Sequence, residues 1–377
     1  MSLNETLRRE LLSFQPPQCG PAAKPPKYME YYKSLGSPRH VVAPMVDQSE
    51  LAFRMLCRRY GADLCYTPMF HSQQFCTSEA YRLKHFTTCA QDRPLLVQFC
   101  GHDPDVVVRA AKYVQNQCDG IDLNLGCPQG IARKGHYGSF LMEDWKLIHT
   151  IIRKLCDELD VPVTAKIRVF NDEEVTLAYV RMLVNAGISL LAIHGRTRDM
   201  KGGQTGVADW AIIRRVKECF PFLPIIANGN ILCYDDIGRC LDATRCDGVM
   251  SAEALLHDPR LFSPQSRSLG LLNSRLYKKL PLTNELIHIV SSLTDEYLQL
   301  VEECHTVFSH VKSHLFKLLY HLMVHQPELR EALNNAHEGL SIAQVRACVQ
   351  MICSKSTEFV KELEISKPVS FDGCADV

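Results

Sequence analysis

Asp122-Leu123-Asn124-Leu125-Gly126-Cys127-Pro128-Gln129 places a carboxylate, an amide and a thiol close together where an apolar run stops. Ile121, Leu123 and Leu125 alternate with Asp122 and Asn124, the two-residue period of a short buried strand. Gly126 and Pro128 then end it. An amide near the strand end and a thiol just past it would both project from the mouth of a sheet or barrel. A cysteine on such a loop, beside backbone N–H groups and the cations Arg133 and Lys134, is suited to proton transfer. The competing reading is a buried structural cysteine, the commoner fate of that residue type.

Positioning such a loop requires regular elements around it. From His40 onward, short apolar runs at 41–45, 64–66, 95–99, 120–125, 163–168, 190–194, 225–228 and 248–250 alternate with longer amphipathic stretches. Those stretches include 49–60, 104–117, 145–159, 173–186, 211–220 and 235–244, and Val106, Ala110, Tyr113 and Val114 show their helical spacing. Repeated βα units of this kind predict a parallel sheet, and eight of them predict a TIM (β/α)8 barrel. An open doubly wound sheet is the alternative, but no Gly-x-Gly-x-x-Gly fingerprint follows any strand.

In a barrel, chemistry gathers at the carboxyl ends of the strands. Those ends carry Pro44-Met45-Val46, Gln98, Asn124 with Cys127, Lys166 with Arg168, His194 with Arg196, Asn228-Gly229-Asn230, and Ser251-Ala252-Glu253. Each has a bland reading: a snorkelling lysine, a core histidine, a tight turn that needs positive φ. Their coincidence at matching ends of successive units is harder to dismiss. The last two ends lie where barrels bind phosphate, with glycine admitting backbone N–H groups to the anion. Gln98 and Lys166 can bond the polar edge of a flat ring, a lysine stabilises an anionic reduced isoalloxazine, and Pro44-Met45 can pack beneath it. These features point to FMN rather than a bare sugar phosphate.

The 377 residues suffice for one large domain and a smaller one. Lysine plus arginine equals aspartate plus glutamate at 42 each, so any nucleic-acid contact must come from local basic patches. The 17 cysteines include no C-x-x-C pair, which argues against a disulfide framework or zinc ribbon and for a reducing compartment, cytosolic or nuclear. No apolar run is long enough to span a membrane. Residues 1–39 are expected to be an irregular extension rich in proline, with the barrel at 40–269.

Ala43-Pro44-Met45-Val46-Asp47, the 122–129 stretch, Lys166-Ile167-Arg168, His194-Gly195-Arg196-Thr197 and Asn228-Gly229-Asn230-Ile231 resemble the tRNA-dihydrouridine synthases. The match runs in order over residues 40–262. His40-Val41-Val42-Ala43-Pro44, Gly135-His136-Tyr137-Gly138 and Met250-Ser251-Ala252-Glu253 look most like the eukaryotic branch that modifies D-loop positions sixteen and seventeen. The resemblance implies an FMN enzyme that reduces the C5–C6 bond of tRNA uridines, with NADPH or NADH as electron donor. It implies Cys127 as the general acid that protonates C5 and Asn124 beside the flipped uracil. It implies that Pro44, Met45, Val46, Gln98, Lys166, His194, Asn228, Gly229, Asn230, Ala252 and Glu253 bind FMN, with Arg168 and Arg196 toward the substrate. The base must leave its stack, which costs a few kcal/mol. Three departures stand out. Asn230 replaces a common Asp, Ala252-Glu253 replaces the Gly-Arg of bacterial members, and the Cys-rich tail of some members of this branch is not expected.

After a linker at 270–281, helical stretches at 284–304, 307–324 and 341–359 predict a small C-terminal bundle over 282–360, with 361–377 a flexible tail. Lys312, His314, Lys317, His321 and His325 interleave with Phe308, Leu315, Phe316 and Leu319, either as a solvated face or as an RNA-backbone surface centred on Lys312 and Lys317. His321 and His325 lack a third ligand, so no metal is expected. The expected partners are tRNA and a nicotinamide dinucleotide, without a membrane, and the protein is expected to be monomeric. Two other readings compete: an FMN barrel acting on a free pyrimidine, of the dihydroorotate dehydrogenase kind, and a catalytically silent RNA-binding scaffold.

Overall fold

The computed structural model describes residues 4–16, 27–269, 281–335 and 340–365. Among the described residues nine parallel strands are formed: β1 His40–Val42, β2 Leu64–Tyr66, β3 Phe70–His71, β4 Leu95–Cys100, β5 Gly120–Leu125, β6 Val163–Arg168, β7 Leu190–His194, β8 Ile225–Asn228 and β9 Gly248–Ser251. Neighbours follow the order β2-β1-β9-β8-β7-β6-β5-β4, and β2 also pairs with β4, so eight strands close into a barrel. β3 lies along the upper half of β4, pairing Phe70 with Phe99. Helices between successive strands form the (β/α)8 repeat; the longest, Trp145–Glu158 and Glu173–Ala186, are capped by the carboxylates of Asp144 and Asp172.

The barrel interior is packed, not hollow. Val41, Ala43, Leu64, Tyr66, Leu96, Leu190, Ala192, Ile226 and Met250 form one buried cluster. Tyr31, Tyr32 and Leu35 join that cluster and close the barrel floor. The two tyrosines spend their hydroxyls on backbone carbonyls, Tyr31 on Asp119 and Tyr32 on Pro38 and Asp247.

This corrects the expectation of an irregular residue 1–39 extension. Helix Tyr28–Ser34 carries the floor, and helix Glu5–Leu12 starts on the Asn4 cap and ties Arg8 to Asp172 and Glu174. The prolines dominate the sequence signal, yet 17–26, which holds most of them, lies outside the described residues.

The chain divides into two compact units, Met1–Gly270 and Leu271–Val377. In the second, helices Asn284–Cys304, Phe308–Leu318, Tyr320–Met323, Glu328–Asn334 and Ile342–Ile365 pack around Leu286, Val290, Tyr297, Val311, Leu315 and Val349. Helix Glu328–Asn334 is not among the helices expected from spacing. The expected linker falls almost wholly outside the described residues, as does the tail from 366. Among the described residues no helix is long and apolar enough to cross a membrane.

Candidate active site

Side chains on a strand alternate between its two faces, so the inward set of each barrel strand follows from its apolar cluster member. Two residues above Leu96 stands Gln98; two above Ala192, His194; two above Ile226, Asn228. Asp122 and Asn124 on β5 and Thr164 and Lys166 on β6 share that inward face. The interior is thus apolar at the floor and polar at the carboxyl-end rim. Parallel register pairs Gln98 with Asp122, Asn124 with Lys166, Arg168 with His194, and His194 with Asn228. The sequence-predicted rim residues of the barrel therefore converge at one end.

The loop after β5 is held from both sides. Asn124 Oδ1 accepts the backbone N–H groups of Gly126 at 3.1 Å and Cys127 at 2.9 Å. The Cys127 carbonyl accepts the N–H and hydroxyl of Ser139 at 3.0 and 2.9 Å. Gly138 must be glycine: its φ is +64°, and a Cβ there would stand 2.8 Å from the Cys127 carbonyl oxygen and 2.9 Å from Cys127 Cβ. Cys127 itself is half-buried against a cluster of Cys100, Ala132 and Tyr137 that also takes in Met69 and Phe140. It belongs to the rim and not to the barrel wall. Arg133 and Lys134 are exposed on the short helix Gly130–Lys134.

Arg168, expected toward the substrate, is 8% exposed and bonds three carbonyls, those of Gly126, Thr197 and Met200. It clamps the thiol loop to the loop after β7. Arg196 braces the next two strand ends, donating to Asn230 Oδ1 at 2.6 Å and meeting His194 Nε2 at 2.9 Å. Burial first, then the cations Lys166, Arg168 and Arg196, hold the His194 pKa well below its usual value. The imidazole is therefore neutral, Nε2 accepts from the guanidinium, and the ring proton resides on Nδ1.

Lys166 is half-buried, and among the described residues its ammonium makes no hydrogen bond or ion pair. Burial, then the Arg168 charge, lowers its pKa to about 8 against a partial counter-effect from Asp122. Such an unpaired cation fits an anionic or acceptor-rich ring edge. At the next strand ends, Gly229 has φ +113° and Asn230 φ +61°. A Cβ on Gly229 would lie 2.6 Å from Ala208 Cβ and 3.1 Å from the His194 ring. The backbone N–H groups of Gly229, Asn230 and Ala252 find no acceptor among the described residues. Three such N–H donors at the ends of two neighbouring strands fit a phosphate. Asn228 Nδ2 is spent on the Met250 carbonyl at 2.9 Å. Pro44 is half-buried and Met45 nearly buried, whereas Val46 is 56% exposed. Glu253 is the first residue of helix Glu253–His257, directly after Ala252.

The helical row reads differently in three dimensions. His314 and His321 are buried, with His310, in the core of the second unit, and Lys312 Nζ donates to the Asn334 carbonyl at 2.7 Å. Lys317 and His325 are half-buried. Sequence reasoning missed Asp122, Thr164, Gly138 and Ser139 as site-building residues. The alternation that singled out the strand already placed Asp122 opposite its apolar face.

Fold and site define a (β/α)8-barrel protein whose rim carries a loop-borne thiol, a half-buried ammonium and a cradle of backbone N–H donors. The chain belongs to the dihydrouridine synthase family: the family model described as Dihydrouridine synthase (Dus) matches residues 41–352, a span that includes most of the helical unit. Its relatives include the Schizosaccharomyces pombe tRNA-dihydrouridine(16/17) synthase, qualified by NAD(P)(+), at 47% identity over 81% of this chain and 75% of that one. The Saccharomyces cerevisiae protein of the same name is 46% identical over 81% of this chain and 70% of its own. A mouse protein named as like the (16/17) synthase is 46% identical over 86% of this chain, which spans 64% of that longer sequence.

Proposed function

We propose that this protein reduces the C5–C6 bond of uridines 16 and 17 in the D-loop of tRNA, with FMN as cofactor and NADPH as electron donor. The observation that carries the reading is Cys127, fixed on its loop at the same rim as the unpaired Lys166. Names of relatives supply the uridine positions and the nicotinamide. Support for FMN lies in the residues: Lys166 for the ring edge, the N–H groups of Gly229, Asn230 and Ala252 for the phosphate, and Met45 against the ring. Where bacterial relatives use Gly-Arg at 252–253, Arg196 brings a cation to the cradle through its bond to Asn230.

FMN, when bound, supplies the hydride that adds to C6. The chain does the rest. Cys127 holds a proton at Sγ and gives it to C5, relieving the charge that develops on the uracil. Asn124 and Ser139 hold that sulfur at a fixed height through the loop backbone. Arg168 keeps the loop against the one after β7, so the uracil meets a preformed slot.

Purified protein given NADPH and an unmodified tRNA transcript should yield dihydrouridine at positions 16 and 17, read as the mass gain of two hydrogens in the D-loop fragments. Unchanged tRNA together with oxidation of dihydroorotate would instead favour the free-pyrimidine reading.

In the helical unit, Lys312 donates to the Asn334 carbonyl, and half-buried Lys317 on the same helix tests backbone contact. Lys317→Glu should weaken tRNA binding several-fold and lower the slope of log Kd against log salt by about 1, measured by filter binding. An unchanged slope would return Lys317 to a solvated face.

A further inference from the structure

Beneath the thiol loop lies a buried chain of side-chain hydrogen bonds that the reaction itself does not use. Asp122 and Gln98 are fully buried and Asn124 is 8% exposed. Asp122 accepts the Thr164 hydroxyl at 2.6 Å and Gln98 Nε2 at 2.8 Å. Gln98 Oε1 accepts Asn124 Nδ2 at 2.7 Å, and Asn124 Oδ1 accepts the N–H groups of Gly126 and Cys127. An ionised carboxylate can only accept, so it turns the nitrogen of Gln98 toward itself. The Gln98 oxygen must then face Asn124, whose nitrogen answers it, leaving the Asn124 oxygen for the loop. Every link has one direction, and the direction begins at Asp122.

We propose that Asp122 is a positioning residue for Cys127: through Gln98 and Asn124 it fixes which way both buried amides face, and so holds the loop that presents the thiol. This rests on the reading of Cys127 as proton donor. The geometry explains why a carboxylate is retained inside a barrel, where an isolated charge is costly. Thr164, Gln98 and Lys166 all face it, and Tyr66 and Tyr31 approach from β2 and the floor helix. Lys166 is the cation among these groups, and it offsets the charge. A half-satisfied chain would be worse than an apolar filling, because each unpaired buried amide group costs about 1–3 kcal/mol.

The direction can be reversed by substitution. Asn124→Asp still offers an oxygen to the loop, but its second oxygen also demands a donor from Gln98, whose amide then faces acceptors on both sides. Adding Asp122→Asn restores a donor at the bottom and lets the chain run the other way. The first readout is the rate at which iodoacetamide alkylates Cys127 in the resting protein, followed by mass spectrometry of the Cys127 peptide. The others are kcat and KM for tRNA, and the melting temperature.

Asn124→Asp should change the alkylation rate about tenfold and lower kcat by about tenfold or more, one charged hydrogen bond's worth, with KM within about twofold. The double variant should recover most of both changes. Burial raises the Asp122 carboxyl to about 6, so wild-type kcat should fall as pH drops through that value, where a protonated Asp122 can donate as well as accept. Asp122→Asn alone should displace that acid limb.

An alkylation rate equal in wild type and Asn124→Asp, or a double variant no better than the single one, overturns the proposal even if tRNA is reduced normally. If Asn124→Asp does not fold, recovery of a cooperative melt in the double variant supports it, and no recovery refutes it. Wild-type protein that leaves uridine intact overturns the proton-donor reading, while alkylation still judges the chain.

Discussion

Cys127→Ala is expected to lower the rate of dihydrouridine formation by about 10²–10⁴-fold, the usual contribution of a general acid in the transition state. The structure separates this loss from any general damage. The loop at Cys127 is held through its backbone, by Asn124 Oδ1 from below and Ser139 from above, and neither bond involves the sulfur. Gly138 packs on the Cβ, which alanine keeps. Only Sγ leaves the cluster around Cys100, Ala132 and Tyr137, so the melting temperature should shift by only a few degrees. Binding of tRNA should stay within about twofold, since phosphate contacts dominate such affinities. Single-turnover assays, in which the protein is reduced first and tRNA added second, place the deficit in the reduction of uridine. Reduction by NADPH should proceed at the wild-type rate. A variant with full single-turnover activity would remove Cys127 from the reaction.

Much of the barrel was legible because its strands obey two constraints at once, apolar content and length. The runs at 120–125, 163–168, 190–194 and 225–228 coincide with β5 to β8. β3 escaped because two residues, Phe70 and His71, carry no period. The thiol loop was legible from its residue types, yet what holds it was not. Asp122 and Thr164 look like any polar residues in a strand until the register sets Asp122 between Gln98 and Thr164. The family resemblance points Arg168 and Arg196 toward the substrate. Their hydrogen bonds to carbonyls and to His194 become visible only when loops distant in sequence meet. In the helical unit the error had a signal. His310, His314 and His321 are spaced like core positions of one helical face, and Val311, Leu315 and Leu318 share it. Residue type argued for the surface; periodicity argued for the core, and packing followed periodicity.

Lys166→Met should produce two effects of opposite sign. The half-buried ammonium lacks a partner among the described residues, and burial lowers its pKa from 10.5 to about 8. Between those values the unfolded chain binds a proton that the folded chain does not, so stability rises with pH across the window. Below pH 8 both states are charged and the full cost is present. Methionine fills a similar volume without the charge, so the apoprotein should gain roughly 1 kcal/mol at pH 7, a modest figure because water still reaches the site. The gain should fade as pH climbs toward 10.5, where wild type is neutral in both states. Flavin binding should move the other way. An anionic ring edge at Lys166 would lose a charged hydrogen bond, so FMN affinity should fall about 10- to 100-fold, followed by fluorescence quenching. Melting curves with and without FMN then cross: the variant is the more stable apoprotein, and wild type overtakes it when FMN saturates, since a ligand that binds only the folded state stabilises by mass action. Equal FMN affinity in the two proteins would place the ring edge elsewhere on the rim, and a less stable apo variant would mean that the attraction between Lys166 and buried Asp122 outweighs the cost of burying the ammonium.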